Sequence, residues 1–161
     1  MTASPSILAE TCDPTYRPAL WHAWIAGIAA AQLRAGSARL IVNVPPRHGK
    51  SRLFAVETPL WEMLRKPKTE CVVASYALGL ALDAAREARA RTENDLFRKM
   101  TTVRLCSDHG GVDDWAWTNG SRFKAVGVGG SLTGHGAELL MLDDLRRDAM
   151  EANSPTRRKS T

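Results

Sequence analysis

A Gly-Lys-Ser triplet that joins a β-rich run to a helical pattern constrains this chain more than any other feature. The triplet occupies residues 49–51, after the run Arg-Leu-Ile-Val-Asn-Val at residues 39–44. Backbone N–H groups at a helix start attract phosphate, a lysine ammonium reaches its oxygens, and a serine hydroxyl ligates Mg²⁺. Residues 45–51 are therefore predicted to form a phosphate-binding loop. The predicted nucleotide contacts are Pro46, Arg47, His48, Gly49, Lys50 and Ser51.

The loop departs from the Walker A pattern at its first position. Val44 stands where that pattern has its first glycine, and Pro45 and Pro46 stiffen the entry to the loop. The alternative to a phosphate site is an ordinary surface turn that carries Gly-Lys-Ser at a helix start. Arg47 has two interpretations as well: a catalytic contact to a γ-phosphate or to a neighbouring subunit's nucleotide, or a solvated basic side chain.

A second signal is an apolar run that ends in two carboxylates. Residues 138–142 read Glu-Leu-Leu-Met-Leu, and Asp143 and Asp144 follow directly. A parallel sheet delivers such residues to its carboxyl edge, where ligands bind. We predict that Asp143 holds Mg²⁺ with Ser51, and that Asp144, shorter than the more usual Glu, orients or deprotonates the attacking water. Taken alone, a solvated acidic turn explains the same two residues.

The order of predicted elements favours an α/β fold. Strand-like and helical patterns alternate, which is typical of a parallel sheet, and a bend is expected near Pro59. With the loop and the acidic strand end, this order predicts a P-loop NTPase-like, mostly parallel sheet flanked by helices. The predicted elements are helix 19–34, strand 39–44, helix 52–65, strand 70–75, helix 77–92 and strand 138–142.

A β-hairpin is predicted as an insertion before the acidic strand. Asn119 and Gly120 lie between two strand-like runs within residues 113–127. Asn-Gly is a strong hairpin signal because both residues tolerate positive φ. A glycine-rich loop at residues 127–136 follows.

Composition adds weak constraints. The 161 residues suit one domain, and the formal net charge of +5 mildly favours a polyanionic partner. The three cysteines are widely spaced, which predicts neither a disulfide framework nor a zinc site and fits a reducing cytoplasm. No signal-peptide pattern is visible, and the apolar stretch 20–33 is too short to span a bilayer, so we expect a soluble protein.

Aromatic and basic residues have both structural and DNA-binding interpretations. Core packing is favoured over base stacking for all five tryptophans, and His22 is expected to pack or hydrogen-bond locally. The basic tail at residues 146–161 either contacts a phosphate backbone or is a solvated end. The tryptophans are Trp21, Trp24 and Trp61 in predicted helices, and Trp115 and Trp117 on one face of the hairpin.

In combination, these residues resemble the large terminase subunit of tailed bacteriophages. The resemblance is carried by Val-Pro-Pro-Arg-His-Gly-Lys-Ser at 44–51, by Ala-Ser-Tyr at 74–76, and by residues 125–144 with their Gly-Gly-Ser-Leu-Thr-Gly-His-Gly-Ala run. The lead-in at 18–22 and Ser-Pro-Thr at 154–156 are also similar to that family. It extends over most of residues 18–159. It implies an ATPase that uses ATP and Mg²⁺ to drive double-stranded DNA into a procapsid.

The resemblance also implies roles and partners. Lys50 and Ser51 match the phosphate and Mg²⁺ positions, Asp143 the Walker B carboxylate and Asp144 the catalytic one. A small terminase subunit selects DNA in this family, and the large subunits act as a homo-oligomeric ring at the portal. The implied location is the cytoplasm of a bacterial host, with no membrane association, for a phage- or prophage-encoded protein.

Two features depart from that family. His135 stands where an arginine is expected in the glycine-rich loop, and few residues follow Asp144, where the family continues with a coupling motif, further sheet strands and a nuclease. We therefore expect an N-terminal arm at 1–18, a partial ATPase domain at 19–145 that is incomplete at its C-terminus, a polar basic tail at 146–161 and no nuclease domain.

Three alternatives to a packaging ATPase remain open at this level. The chain is otherwise a truncated inactive remnant that binds nucleotide poorly, a non-enzymatic module that binds DNA or another subunit, or part of a different ATP-driven translocase or helicase. Nucleotide-independent, salt-sensitive DNA binding distinguishes the non-enzymatic module from a motor.

Overall fold

The computed structural model describes residues 3–36, 38–129 and 136–145. Within them the chain folds into a mixed α/β structure, a five-stranded sheet flanked by helices. The helices are α1 (Pro5–Cys12), α2 (Leu20–Arg34), a π-helical segment (Arg52–Glu57), α3 (Thr58–Arg65), α4 (Leu78–Glu93) and α5 (Asp95–Met100). The strands are β1 (Glu70–Ser75), β2 (Leu105–Gly110), β3 (Asp114–Trp117), β4 (Arg122–Gly127) and β5 (Leu139–Leu142).

The sheet has the strand order β2-β3-β4-β1-β5. Strand β1 runs parallel to β4 and β5, whereas β2, β3 and β4 pair in antiparallel fashion. The sheet is therefore mixed, and the prediction of a mostly parallel sheet was too simple. The hairpin forms as expected, with Gly120 at φ 83° in its turn. However, the hairpin is not an insertion beside the sheet. Its second strand β4 pairs with β1 inside the sheet, and Phe123 and Ala125 pack in the main core.

The main core lies between the sheet and the helices α1, α3 and α4 with the π-helical segment. The rings of Trp115 and Phe123 stack there, with centroids 4.9 Å apart. Trp61, Trp115 and Trp117 are buried, as predicted. Trp24 is 70% exposed, so the expectation of core packing was wrong for this residue. It sits on α2, and the core-facing side of that helix is formed instead by alanines.

Within the expected N-terminal arm, residues Pro5–Cys12 form a helix that packs into the core. Leu8, Ala9 and Cys12 on α1 have no exposed surface. These positions share one face of a helix, and Pro5 suits its first turn, where no backbone N–H bond is needed. The N-terminal segment is thus part of the core that supports the loop.

The strand predicted at residues 39–44 does not form, and this segment pairs with no strand among the described residues. Ile41 is 91% exposed, and Leu40 is also exposed. Strand propensity stabilises a strand only through cross-strand neighbours, and this segment has none among the described residues. The prediction of a buried strand at residues 39–44 was therefore wrong.

Most other local predictions agree with the structure. Four elements form within a few residues of their predicted bounds: helices α2 and α4 and strands β1 and β5. The helix predicted at 52–65 changes from the π-helical segment to α3 beside Pro59, where a bend was expected. The π-helical segment, α5 and β2 were not predicted. His135 and the tail at 146–161 lie outside the described residues. In the described parts of the chain, no helix combines the length and the apolar character that crossing a membrane requires.

Candidate active site

The predicted phosphate loop is a turn between the segment at residues 39–44 and a helix that begins at Lys50. Arg47 and Gly49 both have left-handed backbone, at φ 63° and φ 77°. Successive residues of alternating hand turn neighbouring N–H groups toward one side, which forms a concave anion-binding backbone. The first helical hydrogen bond runs from Leu53 N–H to Gly49 O at 3.1 Å, so the loop leads directly into the helix.

Lys50 meets both predicted carboxylates. Its Nζ lies 2.9 Å from Asp143 Oδ1 and 3.2 Å from Asp144 Oδ1. The hydrogen bond to Asp143 is the main reason why the pKa of Lys50 is raised, and partial burial opposes it. The structure thus brings together the two signals that lie farthest apart in the sequence.

Strands β1 and β5 place the carboxylates. Asp143 N–H donates to Ala74 O and Tyr76 N–H donates to Asp144 O, both at 2.9 Å, so the chain after β5 stays attached to the end of β1. Asp144 adopts φ 47°, a conformation that aspartate tolerates better than most residues. The Asp143 side chain is 19% exposed and that of Asp144 is 64% exposed. Asp143 is therefore the more enclosed of the two.

These residues border a cleft of about 220 Å³. Pockets that enclose whole drug-sized ligands measure roughly 300–1,000 Å³. The cleft is therefore smaller than pockets of that kind. Its polar lining is Ser51, Arg52, Ser75, Asp83, Glu87, Asp143 and Asp144.

The other predicted loop residues lie elsewhere. Pro46, Arg47 and His48 are exposed and do not line the cleft. His48 instead borders a separate apolar cavity of about 340 Å³. This cavity lies between α2 and the segment at residues 39–44 and is also lined by Trp21, Trp24 and Ile41. The structure therefore places Lys50, Ser51, Asp143 and Asp144 together and leaves Arg47 at the surface.

Two histidines shape the loop: His48, which was predicted to contact nucleotide, and His22, which was expected only to pack or hydrogen-bond locally. His22 Nε2 lies 2.8 Å from His48 O, and His48 Nδ1 lies 2.8 Å from Pro46 O. A Cβ atom added to Gly49 would lie 2.9 Å from His22 Nε2. No spacing in the sequence pairs a residue of α2 with the loop, so this contact emerges only from the tertiary structure.

A buried ion-pair group lies directly behind the loop. Glu57 has no exposed surface, and its Oε1 lies 3.3 Å from Arg91 and 3.6 Å from Arg52, while Arg52 also contacts Asp13 at 2.8 Å. Burial raises the pKa of Glu57 to about 7, and the guanidinium groups of Arg91 and Arg52 oppose that shift. Sequence patterning missed this group because charged helical residues are ordinarily placed in solvent.

The donors at the cleft suit Mg²⁺. Among the described residues, no three His, Cys, Asp or Glu side chains cluster to hold a metal by themselves. Mg²⁺ prefers oxygen donors, keeps several waters, and is usually bound through one or two protein ligands plus phosphate. The Asp143 carboxylate and the Ser51 hydroxyl, which line one cleft, fit that role.

Comparison of the chain with protein-family models, with curated proteins and with solved structures found no match.

Proposed function

We propose that this chain is the nucleotide-binding part of a DNA-packaging ATPase of the large-terminase kind, whose ATP hydrolysis powers translocation of double-stranded DNA in the complete enzyme. The contact of Lys50 with Asp143 and Asp144 carries the proposal. A lysine in a glycine-bearing loop at a helix start and two carboxylates at the end of a parallel strand form a constellation suited to phosphoryl transfer. The resemblance in residues 44–51 and 125–144 assigns it to packaging.

Residues of the loop and of the cleft have separate roles in this proposal. Lys50 binds the β- and γ-phosphates, and Gly49 allows the backbone to approach them. Ser51 and Asp143 hold Mg²⁺, which when bound neutralises charge that develops on the phosphates. Asp144, the more exposed carboxylate, orients or deprotonates the attacking water.

Nucleotide binding requires Lys50 to exchange its carboxylate partners for phosphate oxygens. Its ammonium is engaged by both carboxylates. A phosphate that reaches Lys50 brings negative charge against Asp143 and Asp144, and a divalent cation between them removes that repulsion. Binding of nucleotide and of Mg²⁺ should therefore be strongly coupled.

The remaining assignments rest on the resemblance and on charge. The net charge of +5 favours a polyanion such as double-stranded DNA. A small terminase subunit, the portal and a homo-oligomeric ring complete the proposal, and the exposed Arg47 is available to a γ-phosphate or to a neighbouring subunit's nucleotide.

The decisive experiment measures MgATP binding and hydrolysis by the chain, with and without double-stranded DNA. Lys50→Ala should weaken MgATP binding by about a hundredfold, because a charge-assisted contact contributes up to about 3 kcal/mol. Lys66→Ala, which removes an exposed lysine after α3, is the matched control and should bind as the parent does. Equal affinity of the parent and Lys50→Ala would refute the proposal.

A second candidate is nucleotide binding without turnover. One observation favours it: the segment at residues 39–44 pairs with no strand in the described part of the chain. The sheet therefore does not hold the residues that lead into the loop. This candidate predicts Lys50-dependent binding with no hydrolysis above background, whether or not DNA is present. DNA-stimulated turnover would exclude it.

A further inference from the structure

His22 links helix α2 to the phosphate loop through both nitrogens of its ring. Ala19 N–H lies 3.1 Å from His22 Nδ1 and can only donate, so Nδ1 is the acceptor and carries no proton. The proton of the neutral ring is therefore on Nε2, which donates to His48 O at 2.8 Å. The bond at the start of α2 thus selects the tautomer that binds the loop.

Aromatic contacts hold the imidazole in place. Trp21 stacks on His22 with ring centroids 3.7 Å apart, and the Tyr16 ring meets its edge at 6.3 Å. The Arg52 guanidinium, which belongs to the segment after the loop, lies 4.2 Å from the centre of the Tyr16 ring. The ring of His22 is therefore supported from the N-terminal segment and from the helix that follows the loop.

The His22 bond fixes the orientation of one peptide group. In a trans peptide, the carbonyl and the following N–H point in opposite directions. Because His48 C=O points at His22, the N–H of Gly49 points away from it. The His48 ring binds Pro46 O in the same way, which turns Arg47 N–H away from that ring. Two carbonyls that would repel an anion are thus engaged by imidazoles.

We infer that His22 is a positioning residue of the phosphate loop, which holds the peptide between His48 and Gly49 with its N–H free to bind a phosphate oxygen. The inference deepens the proposed function and rests on it. His22 does not line the cleft and is not required to touch the nucleotide. It acts through the carbonyl of His48.

Two substitutions test the roles of the two ring nitrogens of His22 separately. His22→Asn keeps an acceptor near the position of Nδ1 and loses the donor to the loop, whereas His22→Gln carries an N–H donor near the position of Nε2 and loses the bond to Ala19. We expect His22→Asn to weaken binding of MgATP and of inorganic tripolyphosphate by about tenfold, the worth of one hydrogen bond, and His22→Gln to stay within about threefold of the parent. Equal losses in both variants, in parallel with lower thermal stability, would mean that His22 only stabilises the fold and would overturn the inference.

A second readout needs no nucleotide. The ¹⁵N chemical shifts of the full chain report the His22 tautomer and the environment of the Gly49 amide. We expect a protonated Nε2 in the parent, a displaced Gly49 amide resonance in His22→Asn, and a resonance close to the parent's in His22→Gln. If the parent binds no nucleotide, the proposed function fails and these shifts alone decide the role of His22. An unchanged Gly49 resonance in His22→Asn would overturn that role.

Discussion

Lys50 Nζ lies 2.9 Å from Asp143 Oδ1, which joins the start of the helix after the phosphate loop to the end of β5. Asp143 is attached to β1 through its N–H bond to Ala74 O. The ion pair is partly exposed, and exposed ion pairs contribute little to stability. We therefore assign the pair to the proposed function rather than to stability, because it holds the loop lysine against a carboxylate that lines the cleft.

Asp143→Asn should uncouple nucleotide from magnesium. This substitution removes the charged side chain that we propose as the Mg²⁺ ligand, and we expect Mg²⁺-dependent ATP affinity to fall by about tenfold or more. Affinity for ATP in excess chelator should stay equal or rise, since Lys50 loses a competing partner. Calorimetric titration with and without Mg²⁺ measures both. Asp83→Asn, at another carboxylate of the cleft, is the control, and an identical effect there would contradict the assignment to Asp143.

Gly49→Ala should destabilise the loop for two separate reasons. The backbone at φ 77° disfavours a side chain by about 1–2 kcal/mol, and the new Cβ atom would meet His22 Nε2 at 2.9 Å. The matched control is Gly27→Ala on α2, where nothing lies within 4 Å and helix propensity predicts about 0.5–1 kcal/mol of stabilisation. Chemical denaturation gives both values. Combining Gly49→Ala with His22→Ala should recover the steric part of the loss and not the backbone part.

The stability of the chain should depend on pH through Glu57. Burial raises the pKa of Glu57 from 4.5 to about 7, so the folded state binds a proton that the unfolded state has released in this interval. The stabilisation is full below the unfolded pKa and is lost as the pH rises through the folded pKa. Relative to the parent, Glu57→Gln should therefore gain stability between about pH 5 and about pH 8, by a difference on the order of 2 kcal/mol. Denaturant midpoints at several pH values test this, and a difference independent of pH would contradict it.

The three thiols should differ in reactivity. Burial raises the pKa of Cys12 to about 11 and that of Cys71 well above its ordinary value, and both side chains are enclosed in the core. Cys106 is only half-buried. A thiol reagent at neutral pH should therefore modify one cysteine rapidly and the other two only after unfolding. Cys106→Ser should abolish the fast phase, and a persisting fast phase would show that the core around Cys12 or Cys71 opens readily.

Local patterns determined much of this protein from the sequence. Periodicity predicted α2 and α4, the apolar runs predicted β1 and β5, and Asn119-Gly120 predicted the hairpin turn, because each signal depends on residues that are neighbours in the chain. Lys50, Ser51, Asp143 and Asp144 were identified in the same way, from residue types at the ends of such elements. In the structure, Lys50 contacts both carboxylates, and Ser51, Asp143 and Asp144 line one cleft.

Only the tertiary structure decided what these elements pair with. Residues 39–44 have the composition of a strand and no strand partner among the described residues, because strand pairing depends on contacts with segments that are distant in the chain. Strand β4 joined the sheet centre, and Glu57 became a buried member of an ion-pair group, through contacts between distant segments. His22 is the clearest case: its sequence neighbours define a helix start, whereas its bond to His48 O, and hence its place beside the phosphate loop, exists only once α2 and the loop have met in the fold.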